Sequence, residues 1–251
     1  MTYCKLTKEN DVMTEIMCNV LFMLVLFFAN AIQTITGFAG NLLAMPPSMK
    51  LIGVDEAKTV INIFTMVACL IIAVKNREYI QWKILGRMLI FMLAGMGVGV
   101  ILFDIISIDI LLPVYGIMII LIALKKLFIQ KEIKLPGWFM IAVLFLAGII
   151  HGMFLSGGAL LVVYAVTVLK DKNQFRATVA PVWVILDAVL IFSHYSKGFY
   201  TKENLILIVV SMIPLLLSVK VGNYLYSRIN QKMFMKITYV LLIISGIVVC
   251  A

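Results

Sequence analysis

Residues 151–166 read HGMFLSGGALLVVYAV, placing Gly152, Gly157 and Gly158 beside His151 and Ser156 in a strongly apolar part of the chain. Lipid offers no hydrogen-bond partner to backbone that leaves a helix, and each unpaired group there costs several kcal/mol. A glycine-rich interruption at that depth therefore needs protein or a water-filled cavity around it.

The surrounding chain is equally apolar. Of its 251 residues, 63% are hydrophobic and 13% charged, with a mean hydropathy of +1.11, values that exclude an ordinary soluble domain. Apolar runs of 17–25 residues recur from about residue 16 onward, so a single integral membrane domain over 1–251 is expected. The polar start with Glu9, Asp11 and Glu15 and no small-residue cleavage site speaks for a first spanning helix and against a cleaved signal peptide.

Apolar windows define eight long segments, 16–36, 56–74, 84–106, 109–129, 137–155, 175–194, 204–227 and 233–251, and two short ones, 41–53 and 158–169. At about 1.5 Å per residue the short segments reach only about 18–20 Å of a hydrocarbon core of about 30 Å. They are expected to be half-helices.

The net charge of +9 comes from lysines and arginines lying between the apolar spans, so it reads as a topology signal and not as a nucleic-acid surface. With the uncharged-to-acidic connector DIISID (104–109) outside, fourteen of the 21 basic residues fall in inside loops, which places both termini outside. Cys4, Cys18, Cys69 and Cys250 share no metal-ligand or redox spacing, and neither a metal nor a cofactor is expected.

Sliding the chain by 118 residues aligns QTITGFAGNLL (33–43) with HGMFLSGGALL (151–161), superposing Gly40 on Gly158, Gln33 on His151 and Lys58 on Arg176. The order of elements agrees, which gives repeat 1 over about 12–130 and repeat 2 over about 134–251. Five segments per half is an odd number, so the halves must be inverted: an all-α protein of two inverted repeats, each with four long helices and one half-helix. Gly37, Gly40, Gly157 and Gly158 are expected to permit unusual backbone angles and close approaches at the two breaks. Both half-helices would then point their N-terminal N–H groups and positive dipole ends at the midplane, where an anion is favoured by roughly 0.3–2 kcal/mol per helix end.

On these residues the chain resembles the TauE/SafE sulfite exporter family, also called the toluene sulfonate uptake permeases. The carriers are QTITGFAGNLLAMP (33–46), the EAKTV connector (56–60), GMFLSGGALL (152–161) and FRATVAP (175–181). The resemblance implies a multi-pass transporter of sulfite, sulfonates or other small organic anions. Where many members carry Ala-x-Ala-Thr-Ser, this chain has Ala57-Lys58-Thr59-Val60-Ile61 and Phe175-Arg176-Ala177-Thr178-Val179.

Candidate substrate-binding residues are Gln33, Gly37, Phe38, Gly40, Asn41, Lys58, His151, Ser156, Gly157, Gly158, Arg176 and Thr178. Lys58 and Arg176 either snorkel to the interface or attract the anion at the two mouths of its path. Asn41 and Ser156 either cap the half-helices or touch substrate. Asp187 lies mid-membrane, where a carboxylate costs at least about 2.5–3.5 kcal/mol. It is the candidate for proton coupling, or else a structural acid bonded to the backbone or to a base such as Lys220. His151 reads as a helix-packing residue or a relay, and Asn62 as a hydrogen-bond donor to a neighbouring helix. GMGVG (95–99) gives small faces for close helix packing, and Trp82, Trp138, Tyr195 and Tyr200 fit an interfacial aromatic belt.

The reading is a secondary transporter of small anions in the plasma membrane, not an enzyme. Its expected partners are the anion and membrane lipids, with a homodimer allowed and nucleic acid excluded. Two other classes share some of these features: an anion channel, since helix ends meet at depth, and an intramembrane hydrolase built on Ser156 and His194.

Overall fold

The structure, a computed structural model, describes residues 12–103, 136–196 and 198–234, with position 117 and a few positions from 236 to 243. Within them the chain forms α1 (Val12–Thr36), α2 (Gly40–Ile52), α3 (Val54–Lys75), α4 (Trp82–Phe103), α5 (Gly137–Phe154), α6 (Gly158–Val168), α7 (Lys172–Ser196) and α8 (Lys202–Arg228), with a 3-10 turn at Arg77–Tyr79. Six of these helices, α1, α3, α4, α5, α7 and α8, are long and apolar enough to cross a membrane. The expected long segments that fall on described residues match them closely; segment 109–129 and most of 233–251 lie outside those residues.

Local chemistry sets several of the boundaries. Asp55 and Glu56 occupy the first turn of α3 and Lys75 the last, each complementing the helix dipole. Asp171 Oδ1 accepts the N–H groups of Asn173 and Gln174 at 2.9 and 3.0 Å and so caps α7. Thr201 caps α8 through the N–H of Asn204. The half-helices are as short as expected, 13 residues in α2 and 11 in α6. Every residue of α6 from Gly158 to Val166 is buried, which suits a helix that is apolar all round.

The most extensive interfaces join α4 to α5, α1 to α8 and α3 to α7. In the first, Gly95 and Gly99 of α4 lie against the backbone of Phe145 and Ile149, while Gly148 and Gly152 of α5 lie against Met92 and Met96. A Cβ at any of the four would collide with main chain, so the GMGVG segment does supply a small-residue packing face, with Gly97 pointing away from it. Gly152 therefore serves this interface and not the nearby break. Cys18, buried on α1, is disulfide-bonded, which its spacing in the sequence did not suggest.

The helix boundaries carry the 118-residue offset. Thr36 and Phe154 end α1 and α5, Gly40 and Gly158 begin the half-helices, and Val54 and Lys172 begin α3 and α7. Helices α3 and α7, equivalent in the alignment, pack with opposite directions: Asp55 and Lys58 near the start of α3 share a cavity with Leu190, Ser193 and His194 near the end of α7.

Trp82, Trp138 and Tyr195 are exposed, as a lipid-interface belt requires. Tyr200 departs from it: the residue is half-buried, its hydroxyl has no hydrogen-bond partner among the described residues, and burial pushes that hydroxyl up to about 12, so it stays neutral.

Candidate functional site: the paired helix breaks

Both long helices that precede a half-helix end in the left-handed region. Gly37 (φ 84°) terminates α1 with its N–H on Gln33 O at 2.6 Å, and Leu155 (φ 56°) terminates α5 with its N–H on His151 O at 2.8 Å. The expectation that glycine supplies the backbone freedom holds only for the first break. In the second the equivalent residue is a leucine, and Gly157, with φ −65°, sits in ordinary helical geometry and serves close approach, since a Cβ there would collide with Ala147 O. Gly40 and Gly158 are needed for close approach too: a Cβ at Gly40 would lie 2.6 Å from Gln33 Cβ, and one at Gly158 would lie 2.7 Å from Phe38 O. That second contact is where the two breaks touch.

The breaks dispose of their backbone donors differently. In the first, Gln33 Oε1 accepts from Gly40 N at 2.7 Å, and Thr36 Oγ1 accepts from Phe38 N and Ala39 N at 3.4 and 3.3 Å. Gln33 also donates to Cys69 Sγ at 3.2 Å. In the second, Phe154 stands where Thr36 does and has no side-chain acceptor, while His151, the equivalent of Gln33, turns to α7. Its Nε2 lies 3.1 Å from Asp187 Oδ1, both side chains being fully buried. The contact is off the line of a hydrogen bond, and among the described residues neither ring nitrogen and neither carboxylate oxygen has a hydrogen-bond partner.

Asp187 is therefore held by His151 and not by Lys220, which is exposed. Asn62 behaves as expected of a helix-bridging amide, donating to the main-chain oxygen of Asp187 at 3.3 Å. Asn41 neither caps nor precedes α2. It is the second residue of that helix, and its Oδ1 accepts a hydrogen bond from Thr65 of α3. Ser156 Oγ donates to Phe154 O at 2.8 Å, and Thr178 Oγ1 accepts from Gln81 N at 3.0 Å, tying α7 to the turn before α4.

Neither Lys58 nor Arg176 snorkels to an interface, since both are buried. Lys58 Nζ sits 3.2 Å above the Phe103 ring. Together with Asp55, Gly152, Leu190, Ser193, His194 and Phe199 it lines a cavity of about 250 Å³. Arg176, 2% exposed, is at the opposite end of the α3–α7 pair. Its Nη2 donates to Asn223 Oδ1 at 2.5 Å, its guanidinium lies 4.2 Å from the Tyr226 ring, and its Nε has no partner among the described residues. Gly37 packs directly against its main chain.

Sequence reasoning missed Trp183, Cys69, Asn223 and Tyr226. Trp183 joins the two breaks: Nε1 donates to Gly37 O at 2.7 Å, and its ring lies 5.1 Å from that of His151. The 118-residue offset would have found Cys69, which it superposes on Asp187. Asn223 and Tyr226 give no local signal, because only the folding of α8 against α1 and α7 brings them to Arg176.

Two helix breaks in contact and buried cations at both ends of the α3–α7 pair are thus brought together among the described residues. Comparison with curated proteins and with solved structures gives no match. The family model described as sulfite exporter TauE/SafE matches residues 22–249, and the chain belongs to that family of membrane transporters.

Proposed function

We propose that the protein carries a small sulfur-containing or organic anion across the plasma membrane by alternating access, with the two halves as inverted repeats and the binding site between the breaks. One observation carries the reading: Arg176 is a buried guanidinium with no carboxylate partner among the described residues, set against the first break. A cation removed from water without a compensating charge is costly, and a bound oxyanion supplies that charge in the forked geometry guanidinium favours. The antiparallel packing of the equivalent helices α3 and α7 supports the inversion, and so do the α1–α8 and α4–α5 interfaces, which the offset exchanges. Lys58, equivalent to Arg176, then serves the opposite mouth, on the face that the charge pattern assigns to the outside along with both termini. Half-helix α6, whose break lacks the acceptors of the first, offers the N–H donors.

Purified protein in liposomes is expected to take up sulfite or a sulfonate saturably without ATP. Arg176→Gln is expected to lower uptake at least about tenfold, a loss of about 1.4 kcal/mol of anion stabilisation, with Arg176→Lys intermediate. No flux across a panel of sulfur oxyanions, sulfonates and carboxylates would overturn the proposal, and unitary currents in a planar bilayer would replace the carrier by a channel.

A further inference from the structure

The two halves make one interhelical contact at equivalent positions with different chemistry. Gln33 and His151 are 118 residues apart, and so are Cys69 and Asp187. In the first half Gln33 of α1 meets Cys69 of α3; in the second His151 of α5 meets Asp187 of α7. All four side chains are buried. The first contact joins an amide to a thiol. An imidazole and a carboxylate, by contrast, hold one proton between them at zero net charge, lose it to become −1, or hold a second to become +1.

We propose that the His151–Asp187 pair is a proton site present in the second half alone, and that it binds one proton together with each monovalent anion. The inference rests on the carrier reading above. A buried net charge is costly and an opposite charge nearby offsets it: with Arg176 fixed at +1, the pair at −1 balances it in the empty site, and when the anion takes over that balance the pair gains a proton to reach zero, so proton and anion each favour binding of the other. The loaded site then crosses with the charges matched, and the proton and the anion both leave on the far side.

Within the buried contact itself the pair carries the only carboxylate and imidazole among the described residues. From α3, Asn62 and the Cys69 thiol face Asp187. From α5 only His151 does. On α4 the ionisable groups, Lys83 and Arg87, are confined to the first two turns; on α6 the single ionisable side chain is Tyr164; on α7 the nearest others are His194, seven residues later and two turns away on the cavity with Asp55 and Lys58, and Arg176, eleven residues earlier. The cavity beside Lys58 approaches the pair along both helices. Its lining includes Gly152, next in the chain to His151, and Leu190, one turn after Asp187.

Methanesulfonate is a suitable probe because it stays ionised at every working pH, so any pH dependence belongs to the protein. In proteoliposomes, an outside one pH unit more acidic than the lumen is expected to accumulate methanesulfonate about tenfold, with lumen acidification read by a trapped dye. Asp187→Asn, and the double variant His151→Gln with Asp187→Cys that copies the first half, are expected to bring that accumulation ratio down to about one. Wild-type flux that moves no protons overturns the proposal while leaving the carrier reading intact, and so does a wild-type ratio in either variant. Should either variant fail to fold, His151→Gln alone takes its place, with the same expected ratio of about one and the same overturning result. No methanesulfonate flux in the wild type would sink the carrier reading for sulfonates, and this inference with it.

Discussion

The first break is closed by its own side chains and the second is not. Gln33 and Thr36 take the N–H groups of Phe38, Ala39 and Gly40, so the start of α2 is largely satisfied from within. At the same positions the second break has His151, turned to Asp187, and Phe154, whose side chain can accept nothing. One chain thus uses the same backbone path twice, once with an amide and a hydroxyl side chain turned onto it and once with the equivalent imidazole turned away to a carboxylate of α7. Equivalence in fold does not require equivalence in chemistry.

The heaviest blow to both breaks at once should fall where they touch. Gly158→Ala places a Cβ 2.7 Å from the main-chain oxygen of Phe38, which cannot swing aside as a side-chain tip could. Overpacking of this kind costs about 1–3 kcal/mol. Gly40→Ala forces its methyl onto Gln33 and displaces the acceptor that seals the first break. Both variants are expected to melt at lower temperature in detergent and to lose transport. A Gly158→Ala protein with wild-type melting and flux would show that the two breaks do not bear on each other.

Trp183→Phe tests the link between the breaks more gently. It keeps the ring near His151 and removes only the donor to Gly37 O, leaving that buried carbonyl short of a partner. The expected loss is about 1–3 kcal/mol, seen as a lower melting temperature. Were the loss confined to transport, with melting unchanged, Trp183 would belong to the moving parts and not to the scaffold.

How far the sequence foretold these differences depends on what each rests on. Hydropathy placed the described long helices and both half-helices, because helix length against bilayer thickness is written in consecutive residues. The breaks were legible from Gly40 and Gly158, whose equivalence survives in the alignment. Their backbone geometry was not: glycine at Gly37 advertised a left-handed turn, but Leu155 adopts the same conformation with nothing in its identity to announce it. The pairing of Asp187 with His151 was hidden for a different reason. Both residues were noticed, yet their contact depends on how α5 and α7 cross, which no local pattern encodes.

Leu155 and Gly37 allow the smallest and sharpest comparison. A left-handed conformation costs a residue with a Cβ roughly 1–2 kcal/mol relative to glycine. At Gly37 an added Cβ has room, its nearest neighbour being Arg176 Cα at 3.6 Å, so Gly37→Ala should lose about that amount and no more. At Leu155 the strain is already present, and Leu155→Gly removes it. The same change strips a side chain that is 4% exposed, worth about 1.5–3 kcal/mol of burial in water and less where the alternative is lipid. The two terms nearly cancel, so Leu155→Gly should shift the melting temperature by less than Gly37→Ala does. A large loss from Leu155→Gly would mean that its side chain anchors the second break, which would explain why a leucine is kept in a glycine's conformation.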